Sequence, residues 1–178
     1  MSAGRALALL ALLALAVPGA GCGYALVGKG VTTDVSIKRI GVPLFRDLTG
    51  KPGLDQKITQ KVIEELLKRG RFDVVAGTAD VDAVVEGELT SFLSTPVGFS
   101  DAATQTQPNR YSVVLIARVK YSKTGERESI WENDAFSYRD EYDVADAPGA
   151  FFQLEDQALD RLSTQFARSL VAAMLEAF

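Results

Sequence analysis

Hydrophobic residues recur with two different periods along this chain, and each period predicts a type of element. Between Leu54 and Arg69 the apolar residues are spaced four apart, which places them in one stripe on a helix. Asp55 lies in the first turn and Gly70 follows the last residue, as is usual at helix ends. The pattern predicts an amphipathic helix over residues 54–69.

Alternation with a period of two predicts strands on either side of this helix. β-branched residues alternate over residues 35–42, with a phase slip that suggests a bulge, and residues 72–75 form a second, short candidate. In residues 82–90 one alternate set is apolar and is expected to face the core. This set is Ala83, Val85, Gly87 and Leu89.

The second half of the chain predicts a long hairpin and a helix. Six apolar residues alternate strictly over residues 111–121, which is the strongest strand pattern in the chain. Lys123-Thr124-Gly125 predicts a tight turn, from which residues 130–138 return as the partner strand. After Pro148-Gly149 an amphipathic stripe predicts a C-terminal helix of more than 20 residues.

Residues 94–110 show no period and are rich in Pro, Gly, Gln and Thr, so they predict a loop of about 17 residues. Loops of this length are usually functional or disordered.

These elements predict an α+β fold, a two-layer sandwich. Two helices are too few to cover both faces of a mixed sheet of about four strands, so both are expected on one face. The other face would carry Val84, Val114 and Ile116 beside Arg118 and Lys120, with Phe92 as a further candidate. Such a mixed face favours a partner interface over an ordinary protein surface.

The first residues form an export signal. Arg5 precedes an uncharged apolar run from Ala6 to Val17, and small residues lead to Cys22. A run of about 12 residues is too short to span a bilayer. The sequence predicts a signal peptide over residues 1–21, a tether over 22–33 and a single domain over 34–178.

Cys22 stands directly after the cleavage region and resembles the cysteine of a bacterial lipobox. The resemblance implies a diacylglycerol thioether on Cys22 and acylation, for example with palmitate, of the new amino terminus. Gly19 departs from the aliphatic residue usual at that position, and a secretory signal followed by a chance cysteine remains the alternative. Gly23 after the cysteine suggests sorting to the outer membrane.

Composition and charge exclude several classes of function. The chain has 19 Lys and Arg against 23 Asp and Glu, a formal net charge of −4, which argues against binding to nucleic acid. One cysteine allows no intrachain disulfide, and the absence of histidine removes the commonest general base and metal ligand.

An enzyme acting through carboxylates is a hypothesis of another class. Glu86 and Glu88 share a strand face about 7 Å apart, and further carboxylates follow at Asp134, Asp140, Glu141 and Asp143. Acid and base catalysis requires carboxylates that converge on a cleft. An open strand face favours a solvated row over a catalytic pair.

The chain resembles the lipopolysaccharide-assembly lipoprotein family LptE. The segments that carry the resemblance are Cys22-Gly23-Tyr24, residues 40–45, Leu48-Thr49, the helix at 54–69, residues 70–75, Ala79-Asp80, residues 84–89, and the strand from Tyr111 leading to Trp131. The resemblance implies two helices on a four-stranded sheet, and a non-enzymatic protein without a cofactor. It also implies a role: filling the lumen of the β-barrel LptD, assisting assembly of that barrel and contacting lipopolysaccharide.

Contact with a lipid A phosphate would need basic side chains beside apolar ones. The basic candidates are Arg110, Arg118, Lys120 and Arg139, and the apolar candidates are Val97 and Phe99. For each basic residue, a solvated charge on a strand is the competing interpretation.

Two other lipoprotein classes share a strand, a proline and a helix at the start of the domain. These are the curli-secretion channel lipoprotein CsgG and the activators of penicillin-binding proteins. They would imply oligomeric secretion or enzyme activation.

Overall fold

A computed structural model describes residues 36–102, 105–144 and 148–176 of the chain. The predicted signal peptide, the anchor Cys22 and the tether 22–33 lie outside the described residues.

The described residues form six strands and two long helices. In chain order they are β1 (Arg39–Gly41), β2 (Arg46–Asp47), α1 (Leu54–Lys68), β3 (Asp73–Val75), β4 (Ala83–Ala102), β5 (Gln105–Lys123), β6 (Ser129–Asp143) and α2 (Phe151–Glu176). A short 3-10 turn at Pro148–Ala150 leads into α2. Both predicted helices are thereby confirmed.

The strands make one mixed sheet in the order β3-β1-β4-β5-β6, with β2 pairing with β4 beside β1. β1 runs parallel to β3 and β4, while β4, β5 and β6 form an antiparallel meander. Both helices pack on one face, which confirms the α+β sandwich. The expected number of about four strands was too low. β2 was not predicted, because a strand of only two residues has no readable period.

A continuous apolar core lies between the sheet and the helices. The stripe of α1 is fully buried at Leu54, Ile58, Val62 and Leu66. α2 contributes Phe166, whose ring meets Phe136 of β6 edge to face at 5.2 Å. The alternate set of β4 predicted for the core is confirmed, since Ala83, Val85 and Leu89 have no exposed surface.

The predicted loop over residues 94–110 was wrong, because most of it is strand. β4 continues to Ala102 and β5 begins at Gln105, and they pair to the last described residues of the hairpin. β6 pairs with β5 only as far as Arg110, so the end of the hairpin extends beyond the third strand. The side chains of residues 97–100 and 107–110 lie outside the core, so this segment shows no apolar period.

A bulge in β4 redirects its side chains. Leu89 pairs with Ala117 and Ser91 with Ile116, which leaves Thr90 as an extra residue. One extra residue moves all later side chains to the opposite face. Phe92 therefore lies on the helix side, where the ammonium of Lys51 is 5.4 Å from its ring centroid. The placement of Phe92 on the other face was wrong for this reason.

Candidate functional site on the open face of the sheet

The face of the sheet turned away from the helices, here called the open face, has three zones along its strands. Its central zone is apolar with one basic residue. Register places Leu93 of β4 opposite Val114 of β5, and Val114 opposite Arg139 of β6, while Ile116 lies in the next row. We call Leu93, Val114, Ile116 and Arg139 the mid-face patch. Leu93 is 52% exposed, and sequence patterning missed it because the bulge at Thr90 breaks the alternation before it.

Towards the start of β4, the open face is a ladder of opposite charges. The guanidinium of Arg118 contacts Glu88 at 2.7 Å and Asp134 at 3.2 Å, which joins three strands. Arg46 approaches Glu88 from the other side at 3.3 Å. Lys120 lies opposite Glu86 and Glu132 in register and forms no ion pair with a described residue.

At the root of the extended hairpin, Arg110 binds Asp143 at 2.7 Å. This bond raises the pKa of the Arg110 guanidinium. Val97 and Phe99 are exposed nearby on β4, at 44% and 56%. Gly98 between them allows close contact, since a Cβ there would lie 2.9 Å from the Cβ of Arg110.

On the helix side of this root, an aromatic cluster holds the start of α2. The rings of Tyr111 and Tyr142 stack at 5.7 Å, and Phe151 meets Tyr111 edge to face at 5.0 Å. Burial raises the pKa of the Tyr142 phenol. The cluster fixes the hairpin against the helix layer.

The six residues suggested for lipid contact therefore do not form one site. Arg110 and Lys120 are ten residues apart on β5, which corresponds to about 33 Å. Val97 and Phe99 lie near Arg110, while Arg139 lies in the mid-face patch and Arg118 in the charge ladder. The mid-face patch still combines a basic residue with apolar side chains. There Arg139 lies in one row with Val114 and Leu93 rather than with the expected Val97 and Phe99.

Of the carboxylates considered for catalysis, Glu86 is exposed, and the other five are engaged in ion pairs. Glu88 and Asp134 contact Arg118, and Asp140 contacts Arg161 of α2 at 3.1 Å. The remaining pairs are Arg139 with Glu141 and Arg110 with Asp143. Within the described ranges, no three acidic or thiol side chains converge in a way that could hold a metal ion.

Comparison with solved structures places the fold among bacterial proteins of low sequence identity. A protein of Xanthomonas campestris has a TM-score of 0.57 at 11% identity, over 79% of this chain and 85% of the other. A hypothetical protein of Chlamydia trachomatis has a TM-score of 0.51 at 9% identity, over 77% and 95%. The rare lipoprotein B of Shewanella oneidensis has a TM-score of 0.44 at 12% identity, over 76% and 92%. The first two likenesses show the fold alone.

No curated protein sequence matches the chain significantly. None of the helices in the described ranges is both long enough and apolar enough to cross a membrane. The sequence model of the LptE family, described as lipopolysaccharide-assembly, matches residues 37–174. This match spans the whole sandwich from β1 almost to the end of α2, and the chain therefore belongs to the LptE family.

Proposed function

We propose that this protein is an outer-membrane lipoprotein, anchored on the periplasmic side through lipid on Cys22. It binds inside an LptD-type β-barrel, assists assembly of that barrel and helps to deliver lipopolysaccharide to the outer leaflet. The family match over residues 37–174 is the observation that carries the proposal. A signal peptide over residues 1–21, a tether over 22–33 and one domain over 34–178 fit this role.

The open face supports binding by contact rather than chemistry. Its charge ladder joins three strands through Glu88, Arg118 and Asp134, which presents fixed polar groups to a partner. The mid-face patch adds exposed apolar surface at Leu93 beside a guanidinium. A rigid domain of this kind suits a wide polar lumen, and a lipid tether raises its effective concentration there.

Co-purification from detergent-solubilised outer membranes tests the proposal. We expect the affinity-tagged chain to retain one large barrel protein, and depletion of the chain to lower surface lipopolysaccharide. Recovery of a homo-oligomeric ring would instead favour a secretion channel of the CsgG type, and recovery of a cell-wall synthase would favour an activator. Either of these, or unchanged surface lipopolysaccharide after depletion, would contradict the proposal.

We assign direct lipid contact to Arg139 and to Val114 and Ile116 near it in the mid-face patch. The guanidinium of Arg139 forms an ion pair with Glu141 at 2.7 Å. Because a guanidinium has five N–H donors, other donors remain to bind a phosphate. We expect Arg139→Gln to weaken binding to vesicles that contain lipopolysaccharide by about tenfold. Arg168→Gln, at an exposed arginine of α2, is the matched control. Equal binding by the two variants would contradict the assignment of lipid binding to this patch.

A further inference from the structure

On its outer side, β4 is paired with other described residues over only a small part of its length. β1 and β2 pair with β4 only at residues 83–84 and 88–89, although the strand continues to Ala102. The last main-chain bond on that side joins the N–H of Leu48 to the carbonyl of Leu89. Beyond it, no described residue pairs with β4 on the side opposite β5.

The register shows which main-chain groups point outward there. The carbonyl of Ile116 accepts a bond from the hydroxyl of Thr90, so the main chain of Ile116 faces β4. Because facing residues alternate along an antiparallel strand, Val114 and Ser112 of β5 also face β4. Their partners Leu93 and Thr95 must in turn face β5.

It follows that Phe92, Ser94 and Pro96 direct their main-chain groups away from the sheet. Pro96 has no N–H to donate, and it is tolerated because its nitrogen faces away from the ladder with β5. Two N–H donors and three carbonyl acceptors on this side therefore have no main-chain partner among the described residues. Groups of this kind are a template for a further strand.

This part of β4 also has no charged side chains of its own, although charged residues usually prevent pairing at an exposed strand edge. Residues 89–100 contain no Asp, Glu, Lys or Arg, which makes them the longest uncharged stretch among the described residues. β6, at the other border of the sheet, carries six charged residues: Glu132, Asp134, Arg139, Asp140, Glu141 and Asp143. Charged edges resist pairing with another chain, and uncharged edges permit it. We call the outer side of β4 from Phe92 to Ser100 the uncharged edge.

We propose that the uncharged edge binds an extended, uncharged segment of the barrel partner, outside the paired strands of the barrel wall, by strand addition. The inference rests on the proposed function and names the part of the surface that this partner covers. Free main-chain donors and acceptors match another main chain, and the lack of charge matches an uncharged segment. Leu93 and Val97 flank the edge with exposed apolar side chains, which such a segment would cover.

Amide hydrogen exchange on the purified complex tests this proposal at the main chain. We expect the amides of Phe92 and Ser94 to exchange at least about tenfold more slowly in the complex than in the free chain. The amides of Leu93 and Thr95 are already bonded to β5, so they serve as internal references. A complex in which Phe92 and Ser94 exchange at the free-chain rate would overturn the inference and leave the proposed function intact.

A matched pair of lysine variants tests the same edge by affinity. Leu93 and Leu67 are 52% and 51% exposed, and Leu67 lies on α1, away from the edge. We expect Leu93→Lys to lower the yield of co-purified barrel at least about tenfold, because strand addition would bury the ammonium. Leu67→Lys should leave the yield unchanged.

The remaining outcomes are also decisive. Equal yields for the two variants would contradict strand addition at this edge. Protection of Phe92 and Ser94 in the chain alone, together with a concentration-dependent dimer, would assign the edge to a second copy and overturn the partner assignment. A native chain that retains no barrel at all would refute the proposed function and this inference together.

Discussion

At the scale of single residues, small groups join strands that are distant in the chain. The carboxylate of Asp82 accepts hydrogen bonds from the main-chain N–H groups of Lys38 and Arg39, both at 2.8 Å. These bonds fix the start of β1 beside the start of β4. They also lower the pKa of Asp82, because they stabilise its charged form.

The Asp82 bonds predict a pH dependence of stability. A carboxyl whose pKa is lowered by folding stabilises the protein above its unfolded pKa, near 4. That contribution disappears as the pH falls through the folded pKa. We expect Asp82→Asn to melt at a lower temperature than the native chain at neutral pH, with the difference closing in acid. Thermal melts of both proteins from pH 7 to pH 2 measure this, and a difference independent of pH would contradict it.

Gly87 packs so closely against the ring of Phe45 that a larger side chain at position 87 is expected to destabilise the fold. A Cβ at Gly87 would lie 2.2 Å from ring carbons of the buried Phe45, so β4 needs glycine where this ring crosses it. We expect Gly87→Ala to lower the free energy of unfolding by about 1–3 kcal/mol, measured by urea denaturation. Gly149→Ala, where nothing lies within 4 Å, is the control. Phe45→Leu should partly rescue Gly87→Ala, and strict additivity of the two changes would argue against the clash.

At the scale of elements, each helix packs against the rest of the domain through one of its own faces. α2 buries Phe166 completely against Phe136 of β6, whereas Phe152 near its start is 79% exposed. Ion pairs between the helices, such as Lys61 with Asp160 at 3.4 Å, lie at the surface and add little. Burial therefore accounts for most of the attachment of α2.

Phe166 and Phe152, both on α2, give a matched prediction. Phe166→Ala leaves a cavity in the core and should lower the free energy of unfolding by about 3–5 kcal/mol. Phe152→Ala should change it by less than about 0.5 kcal/mol, since most of that side chain is already in water. Urea denaturation of both variants tests the assignment. If both variants lost a similar amount of unfolding free energy, Phe152 would have to be buried, which would contradict its exposed position in the structure.

At the scale of the whole molecule, the proposed function gives the anchor and the domain separate tasks. In that proposal the domain supplies the binding surfaces, and the lipid on Cys22 keeps them at the membrane. Two or three acyl chains at about 0.8 kcal/mol per buried methylene are sufficient for stable anchoring. Loss of the lipid should therefore release a folded domain.

The anchor is tested by Cys22→Ser. We expect the native protein to fractionate with outer membranes and the variant to become soluble in the periplasm, with the same melting temperature as the native domain. Intact-mass spectrometry of the native protein should show acyl chains on the residue at position 22. An unmodified thiol there would contradict the anchor and the proposed address.

The sequence by itself determined the elements that have a strong apolar period. The helix stripe from Leu54, the core-facing set of β4, the alternation from Tyr111 and the turn at Gly125, whose φ is 84°, are all present as predicted. The family also followed from sequence, because its segments occur in order along the chain. Local periods record which face of an element is buried, so they can be read without the fold.

Only the tertiary structure decided where unpatterned residues lie. The outer hairpin lacks a period because it leaves the core, and the bulge at Thr90 sends Phe92 to the helix side and Leu93 to the open face. The pairing of Arg118 with Glu88, and the lack of a described partner on the outer side of β4, depend on which strands become neighbours. Such contacts join residues far apart in sequence, so register and strand order fix them and local pattern does not.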